Sequence, residues 1–590
     1  MQQFFKFMFA SCLGVFLALG ALVLLGISSV ASMADEDTIK EPKANSVLEI
    51  KLEGAVPELT DNTEKSPFQS DKVIGLHDMT RALERAANDN NIKGIVINTR
   101  YTTLGFSSAS VIRRALENFK KSGKFVYAYG DMYTQGAYYL ASTADTIMIN
   151  PHGDIDFRGI AGQIPFMKGL FDKLDIKWQI YYAGQFKSAT EPFRLDKMSE
   201  PNRLQMHEYI NGLFDIMLKD ISASRKIPVS ELQNIANELK ARTAHRAVQN
   251  KLADTEGYYD ALLSMVKQKL GLKESEKINS ISLNDYAQTL KRSTGSAKEK
   301  IAVVFAEGDI GYGNDEQDDD GSIQGLRYAK IIRKLRNDKN VKAIVLRVNS
   351  GGGASFASEI IWRELDLARQ QGKVVISSFG DYAVSGGYYI AMASDSIFAE
   401  PNTLTGSIGV YAMIPGMQNM FKNKLGISFD TVKTSKYAAM SGVNIHFSDD
   451  EGKIIQERVD STYETFLNRV SINRKMSRDQ VHAIAQGRVW LGNKAKDIGL
   501  VDQMGGLEAA ISAAANKAGL KDYKTVNYPT FKSSMEKLIE NLTGGKSTED
   551  LTQTALKNEL GEFYDYYQYF KRLKTIEGPQ MRIPYVVQFK

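Results

Sequence analysis

The sequence predicts an α/β protein made of two tandem copies of one βαβ unit. Short apolar runs of strand length alternate with helical patterns through the body of the chain, which is how stacked βαβ units and a largely parallel sheet read in sequence. The same order of motifs then recurs at an offset of about 250 residues. Length agrees: at 590 residues the chain exceeds the ~300 that one hydrophobic core ordinarily serves.

Composition narrows the function classes. With 43% hydrophobic and 24% charged residues the chain is globular. Its 74 basic and 69 acidic side chains are dispersed, so no concentrated basic field marks a nucleic-acid partner. The single cysteine, Cys12, excludes an intramolecular disulfide and a Cys-rich zinc site. Because it lies in the N-terminal apolar stretch, covalent catalysis in the body falls to oxygen or nitrogen.

Taken in order, the first element is an uncharged run from Phe7 to Val30, preceded by Lys6 and followed by Asp35, Glu36 and Asp37. It exceeds the ~20 residues that span a bilayer, and the flanking charges favour the N-terminus inside and the body outside. A cleaved signal peptide, with Ser32-Met33-Ala34 at the cleavage site, is the alternative, and it also exports the body. Residues 1–33 are assigned as a single-pass anchor.

The first repeat is assigned to residues 46–290 and the second to 300–525. Asn91-Ile-Lys-Gly-Ile-Val-Ile97 answers to Asn340-Val-Lys-Ala-Ile-Val-Leu346. Tyr129-Gly130-Asp131 through Gly136-Ala137-Tyr138-Tyr139-Leu140-Ala141 answers to Phe379-Gly380-Asp381 through Gly386-Gly387-Tyr388-Tyr389-Ile390-Ala391. Strands are expected at Ile95–Ile97, Phe125–Tyr127, Val303–Phe305, Ile344–Leu346 and Val374–Ile376. The Lys-, Glu- and Ser-rich stretch from Lys273 to Lys300 marks the boundary. The extension, 526–590, has no counterpart in the first repeat, and its charged, aromatic composition, with Tyr564, Tyr566, Tyr567, Tyr569 and Phe570, reads as helical.

Chemistry is sought where only one copy keeps a reactive residue. Leu404-Thr405-Gly406-Ser407-Ile408-Gly409 places a serine between glycines, where the backbone turns sharply and a carbonyl can approach. The first repeat has Phe157 there, which cannot attack a carbonyl. Asn349-Ser350-Gly351-Gly352-Gly353 follows a strand and offers bare amides to an oxyanion, whereas the first repeat reads Thr99-Arg100-Tyr101-Thr102-Thr103. Taken alone, a glycine triplet is more often a flexible turn. A serine needs a base. None of the six histidines sits in the company of a strand-end carboxylate, which leaves a lysine made neutral by desolvation. Lys187, in Gly184-Gln185-Phe186-Lys187-Ser188-Ala189-Thr190-Glu191-Pro192-Phe193, fits that role. A lysine is ordinarily a solvated surface charge.

In order and spacing, these motifs, with Gly487-Arg488-Val489-Trp490 and Gly499-Leu500-Val501-Asp502, resemble the long tandem-repeat form of the signal peptide peptidase A family, also called protease IV, within the caseinolytic-protease/crotonase-like superfamily. The resemblance covers nearly the whole chain. It implies a serine–lysine endopeptidase with Ser407 as nucleophile, Lys187 as general base and Gly352 in the oxyanion hole. The active site is then expected between the repeats. Gly351 departs from the family's usual Asn-Ser-Pro-Gly-Gly loop, where it stands in place of proline. Lys436, in Thr434-Ser435-Lys436-Tyr437-Ala438, occupies the place in the second repeat that Lys187 occupies in the first and is the alternative base, while Ser435 or Thr434 is the candidate to orient the amine. The resemblance also implies a homotetramer, no metal or cofactor, apolar peptide substrates such as cleaved signal peptides, and an inner-membrane location with the body facing the periplasm or exterior. A crotonase-like acyl-CoA enzyme and a catalytically inactive membrane scaffold are the competing readings.

Overall fold

A computed structural model describes residue 14 and residues 40–54, 56–60, 74–292, 297–313, 322–440, 446–530 and 579–582. Apart from residue 14, the segment read as a membrane anchor lies outside the described residues. Among the described residues no helix is long and apolar enough to cross a membrane.

Strands β1 (Ser46–Ile50), β2 (Ile92–Ile97), β3 (Phe125–Gly130) and β4 (Thr146–Ile149) form the centre of a first sheet. The next strand, β5 (Lys177–Ala183), leaves it, and β6 (Thr255–Glu256) and β7 (Asn279–Ser282) take its edges. The order is β6-β4-β3-β2-β1-β7, with every pair parallel. Strand β7 comes from the boundary segment, so part of that polar stretch belongs to the first repeat's sheet.

The second repeat opens with β8 (Lys300–Glu307), β9 (Ile310–Gly311) and β10 (Ile323–Gln324). Next come β11 (Val341–Ser350), β12 (Gly352–Ala354), β13 (Val374–Val384), β14 (Ser396–Ala399), β15 (Leu404–Gly406) and β16 (Val410–Gly416). The last are β17 (Val489–Leu491), β18 (Gln503–Met504), β19 (Lys524–Tyr528) and β20 (Gln580–Arg582). The main sheet runs β17-β15-β13-β11-β8-β19, with β14 and β18 branching from β13. Its central strands carry unbroken apolar runs such as Ile301–Ala306, all buried, as parallel strands covered on both faces require.

The repeat is visible in detail. Helices Glu200–Arg225 and Asp449–Arg474 are each 26 residues long, start from a capping serine (Ser199, Ser448) and end on a left-handed lysine (Lys226, Lys475). Likewise, Tyr138 donates from its hydroxyl to Leu252 O at 3.0 Å and Tyr388 to Leu500 O at 2.8 Å.

A third sheet, β10-β9-β12-β20-β16-β5, joins the repeats. Strand β5 of the first lies antiparallel to β16 of the second, from Ala183 opposite Val410 to Lys177 opposite Gly416. Buried polar contacts reinforce the join: Arg347 grips Glu58 through Nε and Nη2 at 3.0 and 2.8 Å, and Ser108 donates its N–H and hydroxyl to Asp381 at 2.8 and 2.6 Å. Within the C-terminal extension Gln580–Arg582 form β20, so this part of the tail is a strand and not the helix its composition suggested. Its partners are β12 and β16, which supply the pairing no local sequence signal announces.

Candidate active site

Residue 407 sits in the turn between β15 and β16 with φ of +51°, a left-handed conformation that costs energy for a residue with a side chain. Gly406 before it also has positive φ, at +83°. The turn is pinned from the second repeat itself: Ser407 N–H donates to Arg488 O at 2.7 Å and Gly487 N–H to Ile408 O at 2.8 Å.

Lys187 arrives from the other repeat. It follows β5 across Gly184, and the 486–487 segment clamps the turn, since Phe186 N–H donates to Gln486 O at 2.9 Å. A Cβ on Gly487, whose φ is +79°, would meet Lys187 N, Cα and Cβ at 2.6–2.7 Å, so only glycine leaves room for this lysine. One segment thus braces both the Ser407 turn and the Lys187 turn.

The Lys187 amine lies 3.0 Å from Ser407 Oγ, 3.2 Å from Ser407 O and 2.8 Å from Ser385 Oγ. Residues 187 and 407 are buried, at 2% and 1% exposed. Among the described residues no carboxylate pairs with this amine, and burial pushes it well below the ordinary lysine range. A neutral amine has two N–H donors and one lone pair, which match this surround. It donates to Ser385 Oγ and Ser407 O and accepts from the Ser407 hydroxyl.

Residue 385 was not singled out as a site residue in sequence. It has φ +56° and ψ −116°, held by its N–H donating to Gly406 O at 2.8 Å. At the aligned place the first repeat carries Gln135, whose side chain instead caps its own loop by accepting from Arg158 and Gly159 N–H. The one-copy comparison that found Ser407 therefore also marks Ser385. The first-repeat counterpart of Ser407, Phe157, is fully packed against Tyr138 and Phe214.

The alternative lysine is placed elsewhere. Lys436 is 64% exposed in its side chain and pairs with Asp450 at 2.7 Å, a contact that holds its amine above the usual range. Ser435 is exposed beside it. Neither reaches the Ser407 hydroxyl, and the hydroxyl that touches the Lys187 amine is that of Ser385.

The glycine-rich loop runs from the end of β11 into β12. Gly352 has φ of +93°, and its N–H donates to Ser350 Oγ at 3.1 Å. The Ser407 N–H is already taken by Arg488 O and so is not free to serve as a second donor. Phe186, Ala189, Leu404 and Val489 line the cavity next to Ser407 and Lys187, giving it apolar walls.

Comparison with known proteins adds an independent finding. The model of Peptidase family S49 matches twice, over residues 118–273 and 367–521. "Protease 4" of Salmonella typhi is 37% identical over 80% of this chain and 76% of its own length. "Protease 4" of Haemophilus influenzae is 34% identical over 84% and 82%. The "Serine protease SPPA, chloroplastic" of Arabidopsis thaliana is 29% identical over 92% and 78%.

Proposed function

The chain belongs to peptidase family S49 as a serine protease of the SppA/protease IV type, and from that premise we propose that it is a membrane-anchored endopeptidase in which Ser407 attacks the peptide carbonyl and Lys187 takes its proton. The observation that carries the assignment is the 3.0 Å approach to the Ser407 hydroxyl of a buried amine that has no carboxylate partner among the described residues. Desolvation pushes the amine well below the ordinary lysine range, toward the neutral form that a general base needs.

The steps follow from this geometry. The Ser407 oxygen adds to the carbonyl carbon as its proton passes to Nζ, and the charge that develops on the carbonyl oxygen falls to the glycine-rich loop. For this, Gly352 N–H exchanges Ser350 Oγ for the oxyanion. Protonated Lys187 then gives its proton to the departing amine, the C–N bond breaks, and water releases the acyl-enzyme by the reverse sequence. Ser385 Oγ and Ser407 O hold the amine in line throughout.

Apolar walls at Phe186, Ala189, Leu404 and Val489 favour apolar side chains next to the cleaved bond. Together with the uncharged run at 7–30, this supports cleaved signal peptides and other apolar peptides near a membrane as substrates. The homotetramer and a body facing the periplasm or exterior belong to the same reading.

Incubation of the full-length protein with an apolar peptide of signal-peptide length tests it. Internal cleavage is expected, reduced at least ~10³-fold by Ser407→Ala. Acyl-CoA turnover that survives Ser407→Ala, or no peptide cleavage at all, would contradict it.

A further inference from the structure

The turn that carries Lys187 is braced by a side chain outside the reacting pair. Gln205 lies in the second turn of helix Glu200–Arg225 and is 2% exposed. Its Nε2 lies 3.2 Å from Phe186 O and 3.1 Å from Ser188 Oγ, so it engages the neighbours on both sides of Lys187. Its Oε1 accepts Val489 N–H at 3.3 Å. On β17, Val489 stands opposite Gly406, the residue before Ser407. One buried amide of the first repeat therefore holds the base turn with its nitrogen and the strand beside the nucleophile turn with its oxygen.

The orientation of that amide is set from its far side. Glu191, itself buried, accepts from Ser199 N–H at 3.1 Å, Ser199 Oγ at 2.5 Å and Asn202 Nδ2 at 2.8 Å. With its nitrogen turned to Glu191, the Asn202 amide presents its oxygen to Gln205 Nε2 at 3.2 Å. Reversing the Gln205 amide would set its oxygen against Phe186 O and its nitrogen against Val489 N–H, so one orientation alone satisfies the surround.

This amide belongs only to the repeat that carries the base. Helices Glu200–Arg225 and Asp449–Arg474 start from equivalent capping serines, and at the place of Gln205 the second has Ile454, which offers no such donor or acceptor. The contact is also close. Gln205, Glu208 and Gly212 share one helix face, where Glu208 pairs with Arg488 at 2.6 Å and a Cβ on Gly212 would overlap the Leu491 side chain.

We propose that Gln205 is a positioning residue for the Ser407–Lys187 pair, an amide strut between the repeats that fixes the separation of amine and hydroxyl. This rests on the assignment of those two residues as the reacting pair. Although Gln205 borders the cavity beside them, its N–H groups are engaged within the protein, so its loss is felt in kcat and not in KM.

The test compares Gln205→Met, close in size but without the amide, with Glu208→Gln, which weakens a second link between the same helix and the same segment. Both are made in the full-length protein and assayed on an apolar fluorogenic peptide. Rates are expressed per Ser407 titrated to completion by a fluorophosphonate, so that unfolded protein is not counted. Expected are a kcat at least ~10-fold lower in Gln205→Met with KM within about twofold of wild type, and a kcat within about twofold in Glu208→Gln. A wild-type kcat in Gln205→Met overturns the proposal. An equal loss in Glu208→Gln also overturns it, since the helix contact as a whole would then be responsible. Should Gln205→Met leave no titratable sites, Gln205→Glu decides in its place: it keeps the acceptor for Val489 N–H and gives up the paired donors to the Lys187 turn. A kcat at least ~10-fold lower supports the strut, and a wild-type kcat overturns it. No titration of Ser407 in the wild type would instead defeat the reacting pair.

Discussion

The Ser385 hydroxyl lies 2.8 Å from the Lys187 amine, closer than the 3.0 Å that separates the same amine from the Ser407 hydroxyl. Lys187 is thus held by a residue of the repeat whose serine it approaches, although it is carried by the other. Ser385→Ala is expected to lower kcat about 10- to 100-fold, the worth of one buried hydrogen bond to a reacting group, with KM nearly unchanged. Because Ser385 Oγ accepts more strongly from the ammonium than from the amine, its loss also moves the acidic limb of the pH–rate profile to lower pH. A purely structural role would leave that limb in place.

Gly487→Ala addresses the clamp. The new Cβ would overlap Lys187 backbone atoms and occupy a left-handed position, displacing the base while leaving Ser407 in the chain. A shift of about 1 Å costs on the order of 10²-fold in rate. Steady-state kinetics should show that loss with the circular-dichroism spectrum preserved.

Glu307 offers a test of the interface away from the chemistry. Burial, with the neighbouring Glu58 carboxylate adding to it, pushes its carboxyl up to about 7. It accepts Glu58 N–H at 3.0 Å. A folded-state pKa above the unfolded value means that this group's stabilising contribution is full below about pH 4.5 and is lost as pH rises through about 7. Glu307→Gln should therefore raise Tm relative to wild type at pH 8, by up to about 3 kcal/mol of stability, and leave little difference near pH 4.5. Thermal melts at the two pH values measure it.

Arg347→Met removes the cation that neutralises Glu58 and also donates to Phe379 O at 2.6 Å and Ser378 Oγ at 2.9 Å. An unpaired buried carboxylate costs about 3–5 kcal/mol. Denaturant melts should show that loss, and since the pair joins residue 58 to β11, the docking of the repeats should weaken with it.

Much of this architecture was legible because buried parallel strands write themselves as apolar runs, and duplication wrote each run twice. Ser407 stood out by the same duplication, since Phe157 fills its place in the other copy. Ser385 carried an equal signal against Gln135, but its motif reads first as a glycine-rich helix start. The engagement of Ser407 N–H by Arg488 O was not legible, because the partner is remote in sequence and pairs through its backbone. Strand β20 was read as part of a helical tail for a related reason: its conformation comes from the two strands it lies between, not from its own residues.

The pairing of Ser407 with Lys187 is tested most directly by the rate at which a fluorophosphonate acylates Ser407, followed by mass spectrometry across pH in wild type, Lys187→Met and Lys436→Met. The account predicts labelling in wild type and Lys436→Met, with a rate that rises as a group below the ordinary lysine range loses its proton, and loss of labelling in Lys187→Met. Wild-type labelling in Lys187→Met, with loss in Lys436→Met, would contradict it.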